Sequence, residues 1–255
     1  MPRPFKYRAE SDSDIVISEQ DGVRSLHLGS SLIQSAMKVA APNDLVLSYT
    51  RCMMGFLLFH PCPAHILMIG LGGGSLAKFV YHKLPQTKTT VIEINPQIVT
   101  TAINHFALPA EDARLEIILD EGGEYVASHP FSTDIVMIDG FDDGCQVPTL
   151  CSQNFYNRAR EALNRDGVLV ANLLSRDKNL SVYLRRIETS FNGHVIAMLA
   201  EIRGNLIVFA LKQNPGKFAW KTLRVRAKEL EKKFDLPFPD FVSELRKYSF
   251  LRNGE

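Results

Sequence analysis

Residues His65–Phe79 read HILMIGLGGGSLAKF: an apolar run, four glycines among positions 70–74, then a serine and a helix-like segment. An apolar strand that empties into bare backbone and then enters a helix meets two physical needs. The chain must turn sharply, and a ligand must lie against unobstructed backbone N–H groups at a helix start. Gly70, Gly72 and Gly74 keep GxGxG spacing. Ser75 stands where a nicotinamide-nucleotide loop carries the third glycine of GxGxxG.

Outward from this loop the chain alternates. Strand-like HILMIG, TTVIEIN, LEIILD, TDIVMID and GVLVANLL are interleaved with helix-like SLAKFVYHKL, PQIVTTAINHF, GGEYVAS and NFYNRAREALNR. Continuous apolar strands between amphipathic helices predict a parallel, doubly wound α/β sheet. HVIAMLAEI and NLIVFALK are separated only by Arg203–Gly204, a turn so short that it demands an antiparallel hairpin. The predicted fold is therefore Rossmann-like, with the sheet of class I methyltransferases closed by an antiparallel hairpin. Upstream, IVISEQ and VRSLHLG flank Asp21–Gly22, a type I′ hairpin signal, so a small β-lobe opens the chain. DLVLSYTRCMMGFLLF, residues 44–59, reads as a buried helix with Asp44 near its start. The predicted units are a β-hairpin lobe over 1–43, a ligand-binding catalytic domain over 44–212, and peripheral amphipathic helices over 213–255.

The 255 residues carry a formal net charge of +1 and are 45% hydrophobic, enough for one sizeable core. Near-zero charge without a Lys/Arg block speaks against a nucleic-acid footprint. No apolar stretch is long enough to span a membrane, and MPRPFKYRAESDSD lacks a signal-peptide core. Cys52, Cys62, Cys145 and Cys151 show no metal-ligand spacing and read as reduced, buried thiols of a cytoplasmic protein, with no metal expected.

GxGxG spacing is the form that holds the amino-acid end of S-adenosylmethionine, so Gly70, Gly72, Gly73 and Gly74 are candidate ligand-binding positions. Glu93 ends the next strand, about twenty residues past the loop, where a carboxylate can accept hydrogen bonds from both ribose hydroxyls. Asp120 and Glu121 follow the third strand; either can accept from an adenine amino group, or Asp120 can cap a helix. Asp139 and Asp142, in MIDGFDDG, follow the fourth strand and should face the same crevice as the glycine loop. A carboxylate there can steer a cationic amine and accept its proton as it attacks a sulfonium ligand. Asp143 is a weaker candidate of the same kind.

These residues resemble the spermidine synthase (polyamine aminopropyltransferase) family from about Ile15 to Lys212. The similarity rests on GVRSLHLGSSLIQS, DLVLSY, the glycine loop, VIEIN and IDGFDDG followed by NFYNRAREALNRDGVLVANL. The resemblance implies a β-lobe over a Rossmann-like domain, a homodimer, and transfer of an aminopropyl group from decarboxylated S-adenosylmethionine to an amine. It implies that Gln34 and Glu93 bind the donor, that Tyr49 assists the attacking amine, that Asp139 helps deprotonate it and that Asp142 helps hold it. The family's loop usually reads GGGDGG, with its Asp on the donor's aminopropyl nitrogen. Gly73 stands there in this chain, and losing a hydrogen bond to a charged group costs about 1.5–3 kcal/mol. The same loss removes a repulsion against the carboxylate of intact S-adenosylmethionine. The usual acid after the third strand is Asp, and Glu121 occupies its place. Three readings remain open here: aminopropyl transfer to a polyamine, N-methyl transfer from S-adenosylmethionine on the same fold, and nucleoside binding without turnover. No NPPY-like amine-methyltransferase motif follows the fourth strand.

Overall fold

The computed structural model of the chain describes residues 5–8, 15–29, 32–142, 145–201, 204–216 and 218–252, with 5–8, 142 and 248–252 as backbone alone. Asp143 and Arg203 thus lie outside the described residues, as does the Asp142 side chain.

Strands β1 (Phe5–Arg8), β2 (Ile15–Gln20), β3 (Val23–Leu28) and β4 (Ser35–Lys38) make a four-stranded antiparallel sheet in chain order. Gln20 pairs with Val23 across Asp21 (φ 51°) and Gly22 (φ 73°), two left-handed residues in succession, as a type I′ turn requires. The expected hairpin is present, enlarged by a strand on either side.

Residues 44–59 differ from expectation. The helix α1 (Ser48–Met53) begins four residues after Asp44 and tightens into a 3-10 segment, Met54–Leu58. The Arg51 guanidinium donates to the carbonyls of Leu45 (3.1 Å) and Val46 (2.5 Å), so those groups are satisfied without helical pairing.

The main sheet is built from β5 (His65–Ile69), β6 (Lys88–Glu93), β7 (Leu115–Leu119), β8 (Thr133–Ile138), β11 (Leu163–Leu174), β12 (Val195–Leu199) and β13 (Asn205–Leu211). Its order is β12-β13-β11-β8-β5-β6-β7, and only β13 runs against its neighbours. The closing hairpin is as expected, with Ala200 N–H donating to Asn205 O at 2.8 Å and Gly204 N–H to the Glu201 carbonyl at 3.0 Å. A two-stranded ribbon, β9 (Phe141–Asp142) and β10 (Cys145–Gln146), follows β8.

Alternate strand residues feed two cores. Ile66, Met68, Val91, Met137 and Val170 face one side, where α2 (Ser75–Lys83) and α3 (Pro96–His105) pack. Leu67, Ile69, Val136, Ile138 and Leu169 face α4 (Gly122–Ser128), α5 (Gln153–Ala162) and α6 (Leu180–Ser190) on the other. Each such fully buried side chain stabilises the fold by about 1.5–3 kcal/mol.

The C-terminal helices are less peripheral than expected. Leu230 and Phe234 of α7 (Trp220–Phe234) and Phe238 and Leu245 of α8 (Phe238–Arg252) join the first core. All four cysteines are free, but Cys62 and Cys145 are exposed rather than buried. Among the described residues no helix is long and apolar enough to cross a membrane.

The chain leaves β5 towards β6 and β7 on one side, and towards β8 and β11 on the other. Such a reversal of strand order opens a crevice beyond the carboxyl ends of β5 and β8.

Candidate active site

That crevice holds a cavity of about 330 Å3. Gln34, Tyr49, Glu93, Asp120, Glu121 and Asp139 all stand on its wall, together with Gly70 and Gly72. Six separate stretches of the chain therefore converge on one space. Gly73 and Gly74 stand behind the lining residues.

Gly70 must be a glycine here. Its φ is +95°, and a Cβ would lie 2.4 Å from the Asp139 carbonyl oxygen. Gly70 N–H donates to Ile92 O (2.9 Å) and Asp139 N–H to Ile69 O (3.0 Å), so loop and acid are stitched to the strand ends. Gly73 has a different constraint: a Cβ would meet Ser35 Oγ at 2.8 Å and the Phe106 ring at 2.9 Å. The N-terminal lobe docks at this spot, with Ser35 Oγ 3.2 Å from Ser75 Oγ at the start of α2.

Glu93 straps the loop. One carboxylate oxygen accepts from Leu71 N–H (2.9 Å) and the other from Asn95 N–H (3.0 Å), and the residue is only 8% exposed. Each oxygen keeps a lone pair for a ligand hydroxyl. At the end of β7, the cap of α4 is Glu121, which accepts from Glu124 N–H at 2.9 Å, rather than Asp120. Asp120 accepts from Glu121 N–H (2.8 Å) and stays exposed at the cavity edge.

Asp139 is half-buried at the end of β8. Asn172 Nδ2 donates to its Oδ1 at 2.8 Å, and the Tyr49 hydroxyl lies beside it. Burial pushes the Asp139 carboxyl up to about 6, while the hydrogen bonds from Asn172 and Tyr49 restrain the rise. Burial, then the Asp139 charge, push the Tyr49 hydroxyl well above its ordinary value. The single Tyr49 hydroxyl proton is shared between Asp139 and the Gln34 carbonyl, 3.1 Å away, which ties the lobe to α1.

Asn172 escaped the sequence reading. Its signal is a polar residue inside the apolar run VLVANLL; the side chain is 1% exposed and shares its face of β11 with Val168 and Val170. Four carboxylates and no Lys, Arg or His side chain line the cavity among the described residues. Nor do three or more His, Cys, Asp or Glu side chains gather there as metal ligands.

Residues 46–214 match the model of the spermine/spermidine synthase domain. The chain is 43% identical over 247 residues to a polyamine aminopropyltransferase of Chromobacterium violaceum, covering 95% of both. It belongs to the spermine/spermidine synthase family. A spermidine synthase in complex with the transition-state analogue AdoDATO is 19% identical, shares the fold with a TM-score of 0.64, and is matched over 91% of this chain and 87% of that one. Human methyltransferase-like protein 13 in complex with SAH is 25% identical, with a TM-score of 0.68 over 75% of this chain and 94% of that one. In this family member Gly70, Gly72, Glu93, Asp139 and Tyr49 line one cavity, whereas Gly73 lies close to Ser35 and Phe106 and is not among its lining residues.

Proposed function

We propose that this protein transfers an aminopropyl group from decarboxylated S-adenosylmethionine to a primary amine of a short polyamine. The observation that carries this reading is a cavity with four carboxylates, no cationic side chain among its described residues, and a Tyr–Asp pair at its floor. An anionic wall suits a donor and an acceptor that are both cationic. A carboxylate on the donor would find repulsion from those four groups and no cationic side chain among the described lining residues.

A Cβ at Gly73 would meet Ser35 Oγ and the Phe106 ring, so packing against the lobe and the end of α3 is a second reason for glycine there, beside the choice of donor. The cavity volume suits a nucleoside-type ligand. Gly70 and Gly72 would face its aliphatic arm, Glu93 its ribose, and Asp120 and Glu121 its base. When bound, the donor supplies a sulfonium whose neighbouring carbon accepts a nucleophile as a neutral thioether departs.

The protein's own task is to deliver a neutral amine in line and to take its proton. Asp139 accepts that proton, since at neutral pH a carboxyl near 6 is mostly ionised yet basic enough to matter. Tyr49 steadies the carboxylate and the amine. The family resemblance supports a role for Asp142 in holding the amine, and Gln34, on the cavity wall, would close the cavity from the lobe. Positioning supplies most of the acceleration.

Incubation with decarboxylated S-adenosylmethionine and a linear diamine should release methylthioadenosine. S-adenosylhomocysteine formed from S-adenosylmethionine, with no methylthioadenosine in the first reaction, would overturn the proposal in favour of N-methyl transfer. Release of neither would leave a binding protein. A cytoplasmic homodimer is the accompanying proposal, supported by four free thiols and by the family resemblance. Light scattering at micromolar concentration decides the oligomeric part.

A further inference from the structure

Asp139 is held by a polar relay that crosses three neighbouring strands. Asn205 Nδ2, at the start of β13, donates to Asn172 Oδ1 at 2.8 Å. Asn172 Nδ2, on β11, donates to Asp139 Oδ1 at the end of β8, also at 2.8 Å. The Asn172 backbone carbonyl accepts from Gln146 Nε2 at 3.0 Å, which anchors the ribbon bearing Asp142 to the same residue.

We propose that Asn172 is a positioning residue for Asp139, and that Asn205 sets the orientation of the Asn172 amide so that its N–H, and not its oxygen, meets the carboxylate. The proposal rests on the assignment of Asp139 as the proton acceptor.

Geometry carries it. An amide has two chemically opposite ends that fit one cavity equally well. With the ends exchanged, Asn172 Oδ1 would face Asp139 Oδ1, and two acceptors would meet in a dry place. The Asn205 donor blocks that exchange by occupying the oxygen. The result is a carboxylate with one oxygen engaged from the sheet and the rest of the group turned towards Tyr49 and the cavity. Asn172 itself is 1% exposed and stands off the lining of the cavity, so it acts through Asp139.

The titratable groups around Asp139 are few. Tyr49 faces it from α1. Glu93 at the end of β6, and Asp120 and Glu121 at the end of β7, share the cavity wall. Asn172 hydrogen-bonds to Asp139, Asn205 and Gln146 and to none of these groups, so a shift in the acidic limb on changing Asn172 reports on Asp139.

The test is the pH dependence of kcat/KM, followed by methylthioadenosine release, for wild type, Asn172→Leu, Asn205→Ala and Asp139→Asn. Each is paired with donor affinity and a melting curve. Removing a hydrogen bond to a charged group should raise the acidic limb by about one to two pH units in Asn172→Leu. The rate should fall at neutral pH with donor affinity within about twofold. Asn205→Ala should move the limb the same way, but less, with the fold retained. If Asn172→Leu folds and its limb stays at the wild-type position, Asn172 serves packing alone and the proposal fails. If that variant does not fold, an unmoved limb in Asn205→Ala refutes it. Failure of the underlying reading looks different: the wild type would lack an acidic limb, or Asp139→Asn would keep its rate.

Discussion

Replacing Asp139 by Asn should change activity and stability in opposite directions. The carboxyl rises from 3.8 to about 6 in the folded chain. Between those two values the folded state binds more protons than the unfolded chain, so stability falls as pH rises through that window, and the full penalty persists above it. The span corresponds to roughly 3 kcal/mol at 1.36 kcal/mol per pH unit, and partial solvent access reduces it to roughly 1–2 kcal/mol. Asn keeps the acceptor for Asn172 Nδ2 and presents its own amide to the Tyr49 hydroxyl oxygen, without the buried charge. At pH 7.5 the melting temperature should therefore rise by about 2–8 °C. Loss of a general base should lower kcat by 100-fold or more. Donor affinity, measured by calorimetry, should stay within a few-fold. Differential scanning calorimetry and a methylthioadenosine assay on one preparation give both numbers. An Asp139→Asn protein that melts lower than wild type, or that keeps more than a tenth of its kcat, would refute the reasoning, because a buried charge tolerated for proton transfer requires both outcomes together.

Three further substitutions probe the frame around that acid. Glu93→Gln should weaken donor binding about tenfold or more, since it discharges the group that accepts from Leu71 and Asn95 N–H; calorimetric titration reads the change. Gly70→Ala places a methyl 2.4 Å from the Asp139 carbonyl at a φ of +95°, so it should lower the melting temperature by several degrees and reduce kcat together. Lys78, 1% exposed with its ammonium donating to Phe106 O at 2.6 Å, is pushed down by burial to about 8. Between pH 8 and 10.5 the unfolded chain binds more protons there, so wild type should gain up to roughly 3 kcal/mol over Lys78→Met as pH rises; paired urea melts at pH 7.5 and 10 compare the two.

Much of the architecture was readable because each deciding feature is local. Asp21–Gly22 can only be a tight hairpin turn, HILMI and TDIVMI can only be strands buried on both faces, and the spacing of the last two strands forces them antiparallel. The helix α1 was misplaced because its start depends on Arg51 capturing carbonyls five and six residues upstream, a choice no periodicity records. The packing around Gly73 is hidden from the sequence for a similar reason. Its neighbours, Ser35 of the lobe and Phe106 at the end of α3, are distant in sequence, so only the folded chain shows how little room a side chain would have there.

The site divides along the same line. Glu93, Asp120, Glu121 and Asp139 were legible because strand ends of an open α/β sheet all point to one crevice, and an acid at such an end has a restricted set of uses. Asn172 and Asn205 were not, because their meaning lies in adjacency across the sheet, where β13 inserts between β11 and β12 against the run of the chain. That insertion has a chemical consequence. An antiparallel strand beginning where its parallel neighbours end brings its first residue, Asn205, to the catalytic edge beside Asn172 near the end of β11. The hairpin that closes the sheet thus also supplies a side chain that fixes an amide, which in turn holds a carboxylate half-buried. A fold without that reversed strand could present the glycine loop and the acid, but it would need some other donor to keep the acid's orientation.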